Sequence, residues 1–152
     1  MRLTLKGKTR TRSGRVAAAF TLVEILIVVV ILGILAAVVV PQFAEATSQA
    51  QEVSARDQLN KLRRALAMYY ARGSRFPNVA AGDGTWGELL TQGYMREAPT
   101  NTWVGMGNSR VIVLRGTADT AWQSTHGWVF DAATGNVWAG GFSDVDEAWP
   151  QP

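Results

Sequence analysis

Hydrophobic and polar positions change rhythm three times along this chain. From Phe20 to Val40 there is one charge, Glu24, in 21 residues, and Ile25 to Val40 is unbroken by any charged residue. A run of that length is enough to cross a bilayer as a helix. Beyond Pro41 the pattern becomes mixed, and Ala55, Leu59, Leu62, Leu66 and Tyr69 recur at alternating spacings of four and three. That is one apolar stripe on a helix, with Arg56, Lys61, Arg63 and Arg64 off it on the solvated side. The two stretches predict a single helix from Phe20 to about Arg72, with Gly33 and Pro41 as its only breakers. Arg72-Gly73-Ser74 and Pro77 predict its end.

After Pro77 the rhythm shortens to strands and turns. Asp83 to Leu90 reads as a short helix capped by Asp83 or Thr85. Pro99 to Asn108 reads as loop, and Arg110 to Arg115 as a strand. Gly127–Phe130 and Asn136–Ala139 flank Asp131-Ala132-Ala133-Thr134-Gly135, a hairpin. The expected fold class is α+β: one long N-terminal helix whose amphipathic half packs on a small antiparallel sheet of about three strands. The second sheet face is expected to be exposed or to pack against neighbours. All six tryptophans fall in residues 76–152, as a small core without disulfides needs. The domain plan is a leader (1–19), a membrane half of the helix (20–41), an amphipathic half (42–75) and a head (76–152).

Charge sharpens this plan. The net charge is +3, but Arg2, Lys6, Lys8, Arg10, Arg12 and Arg15 all precede residue 20, where there is no acid. The remainder carries nine Lys/Arg against twelve Asp/Glu, a net of −3. A nucleic-acid surface is therefore not expected on the body of the chain. Basic residues next to an apolar segment stay cytoplasmic, so the head is expected on the far side of the membrane. Cysteine is absent, which excludes disulfides and thiolate metal sites.

Three readings compete for residues 1–45. A cleaved secretory signal needs a small-residue site after its apolar core; Ala36-Ala37 lies near, but Val38 to Val40 continue the run. A plain anchor needs nothing more than the apolar segment. The third reading cuts the leader before Phe20, on the cytoplasmic side. Here Ala19-Phe20-Thr21-Leu22-Val23-Glu24, the apolar run, Gly33 within it and Pro41 closing it resemble the type IV prepilin family, including the pseudopilins of type II secretion. Two residues depart from the family's pattern: Ala19 stands where glycine is usual, and the nearest basic residue is Arg15, with Val16, Ala17 and Ala18 between.

The resemblance implies a prepilin peptidase that cleaves between Ala19 and Phe20 and methylates the new amine, which keeps its charge. It implies pairing of the Phe20 ammonium of one subunit with Glu24 of another, since an unpaired charge in lipid is costly. The alternative for Glu24 is that it snorkels to the headgroups. Gly33 to Pro41 is implied to lose helicity on assembly; the plainer alternative is close packing at Gly33 and a bend at Pro41. Implied partners are the inner membrane, identical or homologous pilin-like subunits, and an inner-membrane assembly platform.

Candidate chemistry is sparse. His126 has no second histidine and no cysteine beside it, so a metal or general-base role is not expected. Gly82-Asp83-Gly84 and Gly105-Met106-Gly107-Asn108 lack the context of phosphate-binding loops. No cofactor is expected. Asp144 and Asp146 are the calcium candidates, because calcium takes oxygen ligands and major pseudopilins hold calcium in a C-terminal loop; the alternative is a solvated acidic tail. The reading is a filament subunit and not an enzyme, closest to a type II secretion pseudopilin. One alternative is a type IV pilus subunit for adhesion, motility or DNA uptake. Another is a membrane-anchored periplasmic binding domain that never polymerises.

Overall fold

A computed structural model describes residues 20–82 and 84–152. The chain divides into two compact units, one ending at Val40 and the other running Pro41–Pro152. Helix α1 spans Leu22–Gly73, 52 residues with Pro41 inside it. Val and Ile dominate its first half, and β-branched residues are mediocre helix formers in water. In lipid the backbone has no other partner, so such a run becomes helical regardless. Pro41 has no N–H, so the Ala37 carbonyl lacks its helical donor, yet helix is maintained through the Gly33–Pro41 stretch. The helix stops where expected: Ser74 turns into the left-handed region (φ 52°) and its N–H donates to the Tyr70 carbonyl at 2.7 Å.

The predicted stripe is the core face of the second unit. Ala55, Leu59, Leu62, Leu66 and Tyr69 are buried, joined by Ala65. They pack with Trp86, Leu89, Trp128, Phe130, Val137 and Phe142. Edge-to-face rings order this core, Trp86 on Phe130 at 5.5 Å and Trp103 on Phe142 at 6.1 Å. Such pairs add about 0.5–1.5 kcal/mol each beyond their burial. Trp86, Trp103 and Trp128 are buried, whereas Trp122, Trp138 and Trp149 are half-buried.

The sheet is β1 (Ile112–Leu114), β2 (Trp128–Phe130) and β3 (Val137–Ala139), in that order. It is mixed and not antiparallel as expected: β1 pairs parallel with β2, and β2 antiparallel with β3. The connection from Leu114 to Trp128 is the reason. A parallel neighbour requires a crossover of a dozen or more residues, and this segment returns the chain to the end at which β1 began. The β2–β3 hairpin forms as predicted. Its turn closes through Gly135 N–H to the Asp131 carbonyl (2.7 Å), with Gly135 at φ 76°. A Cβ there would stand 1.9 Å from the Phe76 ring.

The second sheet face is largely covered, with Val113 and Trp138 half-buried on it. Val129 alternates away from Trp128 and Phe130 and is nonetheless completely buried. The crossover and the C-terminal segment close around that side, tied by Trp149 Nε1 donating to the Asp119 carbonyl at 3.0 Å. Two smaller expectations also change. The short helix α2 covers only Glu88–Thr91 and has no side-chain cap; the Thr85 hydroxyl accepts from Gly87 N–H instead, and Asp83 lies outside the described residues. The 99–108 loop contains a turn of 3-10 helix, Thr102–Val104, capped by Asn101 Oδ1.

Candidate functional site

The N-terminal unit carries most of the residues singled out from the sequence. Ala19 lies outside the described residues. Phe20 is 80% exposed and precedes the helix. Thr21 and Glu24 form a reciprocal cap: the Glu24 N–H donates to Thr21 Oγ1 at 3.2 Å, and Glu24 Oε2 accepts from the Thr21 N–H (2.8 Å) and hydroxyl (3.0 Å). This is a capping box, which satisfies backbone donors that a helix start leaves open. A carboxylate in the first turn is also favoured by the helix dipole. Thr21 was not among the expected site residues, although Thr-x-x-Glu before an apolar run is the sequence signal for it.

The cap uses one oxygen of Glu24. Among the described residues Oε1 accepts no hydrogen bond. The carboxylate thus holds its own helix start and still presents a free oxygen to a donor from outside. An ammonium is the donor that gains most there, because charge-assisted hydrogen bonds are about twice as strong as neutral ones.

Behind Glu24, every apolar side chain larger than alanine from Leu22 to Val40 is at least 40% exposed. Full burial of each stabilises by roughly 1.5–3 kcal/mol. A soluble surface does not leave so many uncovered side by side. The segment is long and apolar enough to cross a membrane. Gly33 is helical, and a Cβ added there would meet nothing within 4 Å.

Residues 14–40 match the family described as "Prokaryotic N-terminal methylation motif". Type II secretion system core protein G of Pseudomonas aeruginosa is 33% identical over 102 residues, covering 59% of this chain and 70% of that protein. Core protein G of Escherichia coli is 32% identical over 107 residues, 64% of this chain and 72% of that protein. The type IV narrow pilus major component PilA5 of Thermus thermophilus is 30% identical over 104 residues, 68% of this chain and 84% of that protein. The chain belongs to the pilin-like family of pseudopilins and type IV pilins. No solved structure matches it.

The pilin-like head shows where the remaining candidates sit. Asp146 gives both oxygens to the Arg63 guanidinium, at 2.5 and 2.9 Å, and Arg63 also donates to the Val137 carbonyl at 3.0 Å. Asp144 is exposed and lines the same surface pocket as Arg63 and Val137. Among the described residues no three His, Asp or Glu side chains converge as metal ligands would. The cation beside Asp146 in this arrangement is an arginine of the same chain.

His126 is buried and structural. Thr125 Oγ1 stands 3.0 Å from its Nδ1, and its Nε2 stands 3.3 Å from Asp119 Oδ1 without hydrogen-bond alignment. Asp119 is a hub that the sequence did not reveal. Its carboxylate accepts from Gly141 N–H (2.8 Å), Gln123 Nε2 (2.9 Å) and Arg115. Burial alone pushes this acid up, but His126, the Gly141 N–H and Arg115 outweigh it and hold it well below the usual carboxylate range. At the end of α1, Glu88 accepts from both Arg75 nitrogens (2.9 and 2.7 Å) and from Asn78 N–H (2.8 Å). Those bonds, Arg75 first, lower it to about 2.

Proposed function

We propose that this chain is a structural subunit of a type II secretion pseudopilus. The leader stays cytoplasmic, the apolar half of α1 waits in the inner membrane, and the head faces the periplasm. A prepilin peptidase removes residues 1–19 and methylates Phe20. An assembly platform then lifts the subunit into a helical fibre whose centre is built from apolar helices. The chain itself contributes no catalytic step.

The observation that carries this reading is the Glu24 carboxylate: one oxygen closes its own helix, the other accepts no bond among the described residues, and an apolar helix with every large side chain at least 40% exposed follows. A carboxylate entering hydrocarbon without a partner is expensive, and two buried charges that pair remove that cost for each other. The Phe20 ammonium of an incoming copy supplies the missing partner and sets the register. Gly33 to Pro41 is the stretch proposed to lose helicity as subunits pack, because the backbone bond missing at Pro41 is its weakest point.

N-terminal sequencing of protein extracted from membranes tests the reading. Phe20, methylated, is the expected first residue; Met1 as first residue overturns it. The pilus-subunit reading remains specific because of the Thermus thermophilus relative, of which the chain covers 84%. Deleting the gene separates the two: loss of secreted proteins supports the pseudopilus, whereas loss of surface fibres and their adhesion or motility supports the pilus.

A further inference from the structure

Two complementary surfaces lie on opposite sides of the buried stripe of α1. Successive helical residues are about 100° apart, so Lys61, Met68 and Arg72 fall to one side of Leu62 and Tyr69, and Arg56, Arg63 and Tyr70 to the other. The contacts agree. The Arg72 guanidinium lies 5.4 Å from the Tyr94 ring, which puts the segment after α2 along the first flank. Arg56 lies 5.9 Å from the Phe142 ring and Arg63 holds Asp146, which puts the C-terminal segment along the second.

The first flank is a groove of about 330 Å³ lined by Lys61, Arg64, Met68, Tyr94, Arg96 and Glu97, among others, so three bases face one acid. Met68, at 53% exposed, provides an apolar floor. Lys61 is paired with Asp57 at 2.6 Å, but Arg64 and Arg96 have no ion pair among the described residues. The second flank ends in the 143–147 loop. Ser143 N–H donates to the Glu147 carbonyl at 2.8 Å, and Arg63 clamps Asp146, so the loop is shaped before any partner arrives. Asp144 and Glu147 are exposed, with no ion pair among the described residues, and Val145 between them is 68% exposed.

We propose that the 143–147 loop of one copy seats in the Lys61–Arg64–Arg96 groove of the next, with Asp144 against Arg64 and Val145 over Met68. The acidic knuckle has an apolar tip and the basic groove an apolar floor, so charge and hydrophobic contact match together. The two surfaces are different and sit on opposite flanks. Such a contact is heterologous and, where its rotation does not close, repeats without limit. This inference rests on the filament reading and adds a periplasmic contact between heads to the contact within the membrane.

The chain has no cysteine, so a disulfide reports only what is engineered. The test uses the full chain expressed with its assembly machinery, and fibres recovered from both the periplasm and the cell surface. Under oxidation, Arg64→Cys combined with Asp144→Cys is expected to give a ladder of dimers, trimers and higher species, and each single variant none. Arg64→Glu and Asp144→Lys are each expected to lower fibre yield about tenfold or more, since like charges then face each other. Their combination is expected to recover to within about threefold of the parent, as a coupled pair does. Tryptophan fluorescence checks that each head is folded. Fibres that form normally with no ladder, and with no loss in either reversal, overturn the head contact and leave the filament reading standing. A product limited to dimers overturns the open arrangement. Loss in both reversals with neither rescue nor ladder assigns the surfaces to another protein and overturns the second copy as occupant. No fibre from the parent chain overturns the filament reading, and the head contact with it.

Discussion

Asn101 offers the sharpest test of how the head is held together. Its side chain is fully buried and fully used: Nδ2 donates to the Gly127 and Gly140 carbonyls, each at 2.9 Å, and Oδ1 accepts from Trp103 N–H at 3.0 Å. One amide therefore joins the 99–109 loop, the start of β2 and the end of β3. Asn101→Ala does not orphan all three partners, because the Gly127 carbonyl also accepts from Gly140 N–H at 2.7 Å. The Trp103 N–H and the Gly140 carbonyl are left without a bond. At about 1–3 kcal/mol per buried orphan, the expected loss is roughly 2–6 kcal/mol. Asn101→Asp keeps the acceptor but points a carboxylate at two carbonyls, so it is expected to cost at least as much. Urea unfolding of the detergent-solubilised full chain, followed by tryptophan fluorescence, reads the head alone because all six tryptophans lie there. With a slope of about 1–3 kcal/mol/M for a small domain, the midpoint falls by roughly 0.7 M or more. A variant within about 0.5 kcal/mol of the parent, the range of an ordinary surface change, would refute the assignment of Asn101 as the staple.

Glu24→Gln separates the two roles of that residue: the amide still accepts from Thr21, so processing and insertion persist, but fibre yield falls because the charge is gone. Parent-level fibres from this variant rule out the ammonium pairing. Glu88 is lowered to about 2 in the folded head, so its contribution is complete above about pH 4.5 and is lost as pH falls from there towards 2. The urea midpoint is expected to drop across that window and to drop less in Glu88→Gln; equal slopes for the two proteins count against the Arg75–Glu88 lock. Gly135→Ala places a methyl on the Phe76 ring at a positive φ, a strain of about 1–3 kcal/mol, read as a lowered thermal midpoint. An unchanged midpoint shows that the hairpin turn relaxes freely.

Patterns that depend on neighbours along the chain were readable. The stripe from Ala55 to Tyr69 follows from helical spacing, and the Asp131–Gly135 turn from local backbone preference. Even so, Ala65 joined the buried face unannounced, because alanine carries too little side chain to mark a stripe. Strand direction was not readable. The strand around Ile112 looks the same whether its partner runs with it or against it, and only the route of the crossover decides. Asn101 and Asp119 were missed for a related reason. Each sits in a loop, and its partners are distant in sequence; a polar residue with long-range partners looks like any solvated one. At the membrane end Glu24 was read as an isolated charge when Thr21, three residues earlier, already holds it.

The same carboxylate also decides where coiling begins. With Thr21 as the boundary, Phe20 lies outside the helix. A hydrolase needs a straight stretch of main chain to grip, and a helix hides its amides in its own hydrogen bonds. Under the proposed processing, the residue that would become the new terminus is therefore presented uncoiled before any enzyme arrives, and a change that let the coil creep backwards past Phe20 would shield the bond from cutting without altering a single atom of it.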